Sequence, residues 1–191
     1  MTSTFRSDID IDFADRRQAL ALIDHVPASQ IRDGVSIAHN TGVYVTDMPV
    51  DPFSGLAAIE YQSAEDRGYV KLDLLNVNLY QQVRNEEHLI SLMHATPDWQ
   101  RFNHEQAFFE RLIHVNNHWN TLKKMPEPVD SVQRLAMFLA IIRPAKRHLI
   151  GRAWRDVAVD IWSSSDDGYQ FKKSHAVAYS HLVVVNMNLL D

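Results

Sequence analysis

Three aspartates stand on alternate positions near the start of the chain: Asp8, Asp10 and Asp12 of SDIDIDF. In an extended strand alternate side chains share a face. The carboxylates would then line one side, with Ile9, Ile11 and Phe13 on the other. Aspartate suits strands poorly and like charges on one face repel, so this face needs a cation or open water. A second pair, Lys71 and Asp73 of GYVKLDLLNV, sets an ammonium and a carboxylate on one face of another strand pattern. If the two strands are neighbours, Asp73 joins Asp8 and Asp10, and carboxylates so clustered cannot all stay ionised without a counter-cation. One or two Mg²⁺ (or Mn²⁺) ions held by carboxylate oxygens would satisfy them. Two such ions about 3.5–4 Å apart activate an attacking hydroxyl and steady a leaving oxygen in phosphoryl transfer. Each piece also has a plainer reading, as a frayed or edge strand guarded by charge and as a surface Lys–Asp pair contributing ~0.5 kcal/mol.

Basic residues gather later in the chain. RPAKRHLIGRAWR carries Arg143, Lys146, Arg147, Arg152 and Arg155 with no acid among them. Their spacing of three and four residues predicts a helix with a cationic face, either solvated or suited to phosphates, which guanidinium grips bidentately. In FKKSHA, Lys172 and Lys173 precede a predicted helix for which Ser174 is the expected N-cap, a modest anion site. HVNNH (114–118) has two histidines at a zinc-compatible spacing, without the glutamate that a metalloprotease helix needs; two surface histidines explain it as well.

These residues need elements to hold them. After the aspartate strand, DRRQALALIDHV predicts a helix ending at Pro27. VSIAHNTGVYVTDMP predicts strand segments around a turn at residues 40–42, LAAIEYQ a further strand, and residues 68–77 the strand of Lys71 and Asp73. From Val77 the period becomes helical, with helices expected around residues 79–93, 108–115, 129–143 and 146–162. SSSDDG is an expected loop, and SHAVAYSHLVVVNMNLL a terminal helix. Strands first and helices second is an α+β pattern, with a sheet region over 1–100 and a helical region over 101–191.

At 191 residues the chain can bury a genuine core. It has no cysteine, so disulfides and thiolate metal sites are excluded. No apolar leader or membrane-length stretch is visible, which predicts a soluble cytoplasmic protein with no membrane partner. The net charge of -5 argues against indiscriminate nucleic-acid binding.

In order, these segments resemble the bacterial replicative DNA polymerase III α subunit, the family C polymerases. SDIDIDF is similar to that family's PDxDxDF motif, HNTGVYV to its HAAGVVI segment, and GYVKLDLLNV to GLVKFDFLGL. LAMFLAIIRPAK is similar to ALxRPGP, keeping Arg143 and Pro144. GYQFKKSHAVAY is similar to GYxFNKSHAxAY, with Lys173, Ser174, His175, Ala176 and Tyr179 matching. The resemblance implies a polymerase β-like palm sheet followed by a helical thumb- or fingers-like remnant. It implies metal binding by Asp8, Asp10 and Asp73, with Lys71 beside them at the catalytic centre. It also implies nucleotide or DNA contacts from Arg143, Lys146, Arg147, Arg152, Lys173, Ser174 and His175.

The departures are as informative. The family's chain is several times longer, with phosphoesterase, clamp-binding and OB regions that are not expected here. The Gly-Ser nucleotide motif and most of the fingers segment are missing, and PDxDxDF has Ser7 in place of its proline. The reading is a reduced, phage-type replication protein acting in a bacterial host cytoplasm. Its expected partners are primer-template DNA, deoxynucleoside triphosphate and another replication protein, and any two-metal nucleotidyl transfer would need a partner chain. A non-catalytic replication accessory, binding DNA or protein through the same palm, stays open, as does a metal-dependent phosphoesterase or nuclease.

Overall fold

The computed structural model describes residues 9–163 and 171–191. Asp8 and most of the expected SSSDDG loop lie outside the described residues. The chain divides into two compact units, Met1–Gln82 and Val83–Asp191.

The first unit is mixed α+β. It comprises β1 (Ile9–Phe13), α1 (Arg16–Leu20), β2 (Val26–Arg32), β3 (Val35–Tyr44), α2 (Tyr61–Asp66), β4 (Leu72–Asn76) and a 3-10 helix, Asn78–Gln82. The strands form one sheet in the order β1-β4-β3-β2. β1 runs parallel to β4, and the other two pairings are antiparallel. Asp33 and Gly34, with φ of 51° and 77°, make a two-residue turn between β2 and β3. Positive φ at both centres matches the strand twist and favours Asp-Gly there. One face packs on a small core that includes Ala28, Tyr44, Met48 and Ala64.

Three sequence expectations change here. The helix over DRRQALALIDHV stops at Leu20, and Val26 and Pro27 belong to β2. No residue of α1 is buried and Leu22 is 85% exposed, so the apolar spacing had no core to face. Proline is tolerated in β2 because that strand lies at the sheet edge. The turn expected at residues 40–42 is instead a bulge inside a continuous β3. Register passes from Pro27↔Val43 to Ser29↔Ala38, so residues 39–42 stand opposite Ala28 alone. LAAIEYQ is not a strand; Glu60 accepts from the Ser63 and Gln62 amides and N-caps α2.

The second unit is helical: α3 (Glu86–His94), α4 (Trp99–His104), α5 (Gln106–Phe109), α6 (Trp119–Leu122), α7 (Val132–Ile141), a 3-10 helix Pro144–Leu149, α8 (Trp154–Asp160) and α9 (Lys173–Leu190). Side chains of Asn85, Asp98 and Ser131 cap α3, α4 and α7, and Pro144 follows the end of α7. The core is built on α7 and α9, through Leu135, Phe138, Leu139, Val183, Val184 and Met187. The valines of α9 are helical because both sides of that helix are buried, which removes the strand alternative. The histidines of HVNNH are not on a helix: His114 has φ 66° in a run of turns after α5.

The basic stretch also differs from expectation. Gly151, at φ 86°, separates the 3-10 helix from α8, so Arg143 to Arg155 do not share one helix face. The N-cap of α9 is Lys172, with no side-chain cap bond, and Ser174 is already inside the helix. Among the described residues no helix is long and apolar enough to cross a membrane.

Candidate functional site

β1 and β4 meet in parallel with Asp10 opposite Asp73. Register partners on neighbouring strands point to the same side, so these two carboxylates share a face, the arrangement expected if the two strands were neighbours. Asp10 is exposed, whereas Asp73 is 14% exposed. Asp12 lies on that face too, and its carboxyl titrates above the ordinary aspartate range because of burial and then the charge of Asp10. The Tyr80 hydroxyl is pushed up in turn, by burial and by Asp12.

Asp73 is held from two sides. The Thr41 hydroxyl donates to Oδ1 at 2.6 Å. The Lys71 ammonium pairs with Oδ2; Lys71 is 8% exposed, and its Nζ lies 5.8 Å from the centre of the Tyr61 ring. Burying that lysine is tolerable because the carboxylate compensates its charge.

His39 completes the wall. Its Nδ1 accepts from the Gly42 amide at 2.9 Å and the Thr41 amide at 3.4 Å. A nitrogen that accepts from amides carries no proton, so the neutral ring bears its hydrogen on Nε2. Burial, and then the Lys71 charge, hold the His39 pKa below the ordinary histidine value against the opposing pull of Asp73. The ring leans on Tyr61 at 5.1 Å.

The β3 bulge makes this arrangement possible. Four residues opposite one give the chain slack to turn His39 and Thr41 toward β4. Gly42 leaves room for Lys71: a Cβ there would lie 2.7 Å from Lys71 Cδ and 2.9 Å from His39 Nδ1. Arg16 fastens the bulge to β4, donating to the Asn40 carbonyl at 2.5 Å and the Leu74 carbonyl at 3.2 Å. Sequence reasoning gave Arg16 no role, placed His39 only in a family-like segment, and read Thr41 and Gly42 as turn residues. A glycine within a strand pattern signals a bulge or a close approach, and here it does both.

A hard divalent cation needs oxygen donors. Among the described residues no three His, Asp or Glu side chains converge to hold one. Asp10 and Asp73 nevertheless supply two carboxylates on one face. A carboxylate offers about four lone-pair positions, of which Thr41 and Lys71 occupy two on Asp73. These are oxygen donors of the kind that Mg²⁺ or Mn²⁺ takes, two in number.

The basic residues all belong to the helical unit. The Lys146 ammonium is buried and donates to the carbonyls of Asp160 and Ser163 and to the Ser163 hydroxyl, so it serves the end of α8. Arg152 pairs with Asp160 at 3.5 Å, both half exposed. Arg147 is exposed, and the Arg143 guanidinium lies 4.7 Å from the centre of the Phe171 ring. Lys173 sits 6.0 Å from the Trp162 ring, Ser174 is exposed, and His175 stacks on Tyr179 at 6.2 Å. No family model, curated protein or solved structure matches this chain.

Proposed function

We propose that this chain is a palm-derived module of DNA replication, allied to the family C polymerases. In this reading Asp10 and Asp73 hold a divalent cation that meets phosphate oxygens of DNA or of a deoxynucleoside triphosphate. The observation that carries the reading is the Asp10↔Asp73 register. It joins the two segments whose family counterparts bear the metal-binding aspartates. A bound Mg²⁺ or Mn²⁺ would supply charge neutralisation at phosphate. The chain's own contributions are separate: Thr41 orients Asp73, Lys71 balances its charge, and His39 offers a neutral Nε2–H donor. Nucleotidyl transfer would require a partner chain for the triphosphate-binding parts missing from this sequence.

One observation favours a non-catalytic replication accessory instead. Asp73 is already neutralised by Lys71, so the fold does not depend on a metal there. Mn²⁺ titration followed by electron paramagnetic resonance, with and without primer-template DNA, separates the two. The metal reading expects saturable binding that tightens with primer-template and weakens at least about tenfold in Asp10→Ala, the loss of one charged ligand. If the parent protein binds no Mn²⁺ in either condition, the accessory reading stands in its place.

A further inference from the structure

Among the described residues neither histidine of HVNNH joins a group of three metal-ligating side chains. His114 adopts φ 66°, a left-handed conformation that costs about 1 kcal/mol or more in a non-glycine residue and collects at functional positions. This turn stacks its ring on Tyr179 at 4.6 Å. Tyr179 lies 6.0 Å from Phe171, and the Arg143 guanidinium covers Phe171 at 4.7 Å. A contiguous stack therefore connects the histidine turn to the residue that opens the basic stretch.

Two polar atoms in this stack are orphaned. His114 Nε2 and Arg143 Nε are buried without a hydrogen-bond partner, an arrangement that normally costs stability unless something else meets it. Charge compensation is missing as well. Arg152 and Arg155 pair with Asp160 and Asp156, whereas among the described residues no ion pair involves Arg143 or Arg147. The surplus cation is felt by both histidines. His114 titrates below the ordinary range through burial and then Arg143, and His118 through burial, Arg147 and Arg143.

We propose that His114, His118, Arg143 and Arg147 form a phosphate-binding site in the helical unit. Guanidinium groups match phosphate oxygens bidentately, and each imidazole adds an N–H donor. The aromatic stack of Tyr179 and Phe171 holds the first histidine and the first arginine at their stations. Its residues all belong to the helical unit and include neither Asp10 nor Asp73, so the proposal is tested independently of the metal reading.

The test is calorimetry on the full chain at low salt with pyrophosphate, with a 5′-phosphorylated oligothymidylate, and with thymidine as the uncharged control. The imidazole resonances of His114 and His118 are followed in parallel. Expected is binding of at least one phosphate ligand, none of thymidine, and an upward shift of both histidine pKa values when the anion cancels the arginine charge. Arg147→Gln, at an exposed position that folding tolerates, should weaken binding about tenfold, and Arg143→Gln at least as much. Pyrophosphate binding without the oligonucleotide assigns a free phosphate compound, and the reverse assigns nucleic acid; either supports the site. Binding of neither ligand overturns it. So does unchanged affinity in Arg147→Gln, or histidine resonances that ignore the bound ligand.

Discussion

Gly42→Ala tests whether the candidate site rests on a close approach between the β3 bulge and Lys71. The added methyl would meet Lys71 Cδ at 2.7 Å, His39 Nδ1 at 2.9 Å and Lys71 Cγ at 3.1 Å. Lysine is flexible, but this one is 8% exposed and its ammonium is tied to Asp73, so it cannot step aside without loosening that pair. Overpacking of this kind costs about 1–3 kcal/mol. Replacing glycine at a φ that alanine accepts returns roughly 0.4–1 kcal/mol through the unfolded state. The net loss should be about 1–2 kcal/mol. In a Lys71→Ala background much of the clash is gone, and the same substitution should cost less by at least about 1 kcal/mol, as neighbours couple. All four tryptophans lie in the helical unit, so their fluorescence would miss the event. Native-state hydrogen exchange at the Val43 and Asp73 amides reports it. A Gly42→Ala protein as protected as the parent, or equally weakened in both backgrounds, would refute the reasoning.

Asp12 ionises at higher pH folded than unfolded, because burial and Asp10 both oppose its charge. The unfolded chain therefore releases that proton first, near its reference value of about 4, and sheet stability should decline as pH rises from there until Asp12 ionises in the folded state too. Urea unfolding by circular dichroism should show that slope flattened in Asp12→Asn. Lys146→Met should destabilise the helical unit by about 1.5–3 kcal/mol, since a buried ammonium bonded to three acceptors is lost and the acceptors stay behind. Tryptophan fluorescence during denaturation measures it, with Trp154 and Trp162 close in sequence.

The alternation of SDIDIDF and KLD made legible which side chains share a face of each strand, because period-2 patterns survive in a sheet whatever surrounds it. That the two strands are neighbours came from the family resemblance, not from the alternation. The order of strands before helices was legible too. The bulge was not legible. Asn40-Thr41-Gly42 is a good turn sequence, and it stays within β3 because Ala38 and Val43 on either side pair with β2, Gly42 and Val43 pair with β4, and Arg16 holds the Asn40 carbonyl. The basic stretch misled for a related reason. Spacing of three and four residues signals a helix, but Gly151 takes a left-handed conformation that local spacing does not reveal. Lys146 was read as an outward charge because lysine is rarely buried. Its partners are backbone carbonyls near Asp160, which no residue-type pattern announces.

The parallel seam between β1 and β4 sets an order of assembly. β2 and β3 close through the two residues Asp33 and Gly34, whereas residues 9–13 must find residues 72–76 across the intervening chain. Each doubling of a closed loop adds roughly 0.6 kcal/mol of entropy cost, so the seam is dearer than the hairpin by about 3 kcal/mol before any contact forms. Thr41, Lys71 and Asp73 can come together on β3 and β4 alone. Asp10 arrives with the last strand, and it would be the first of the four to leave when the sheet opens.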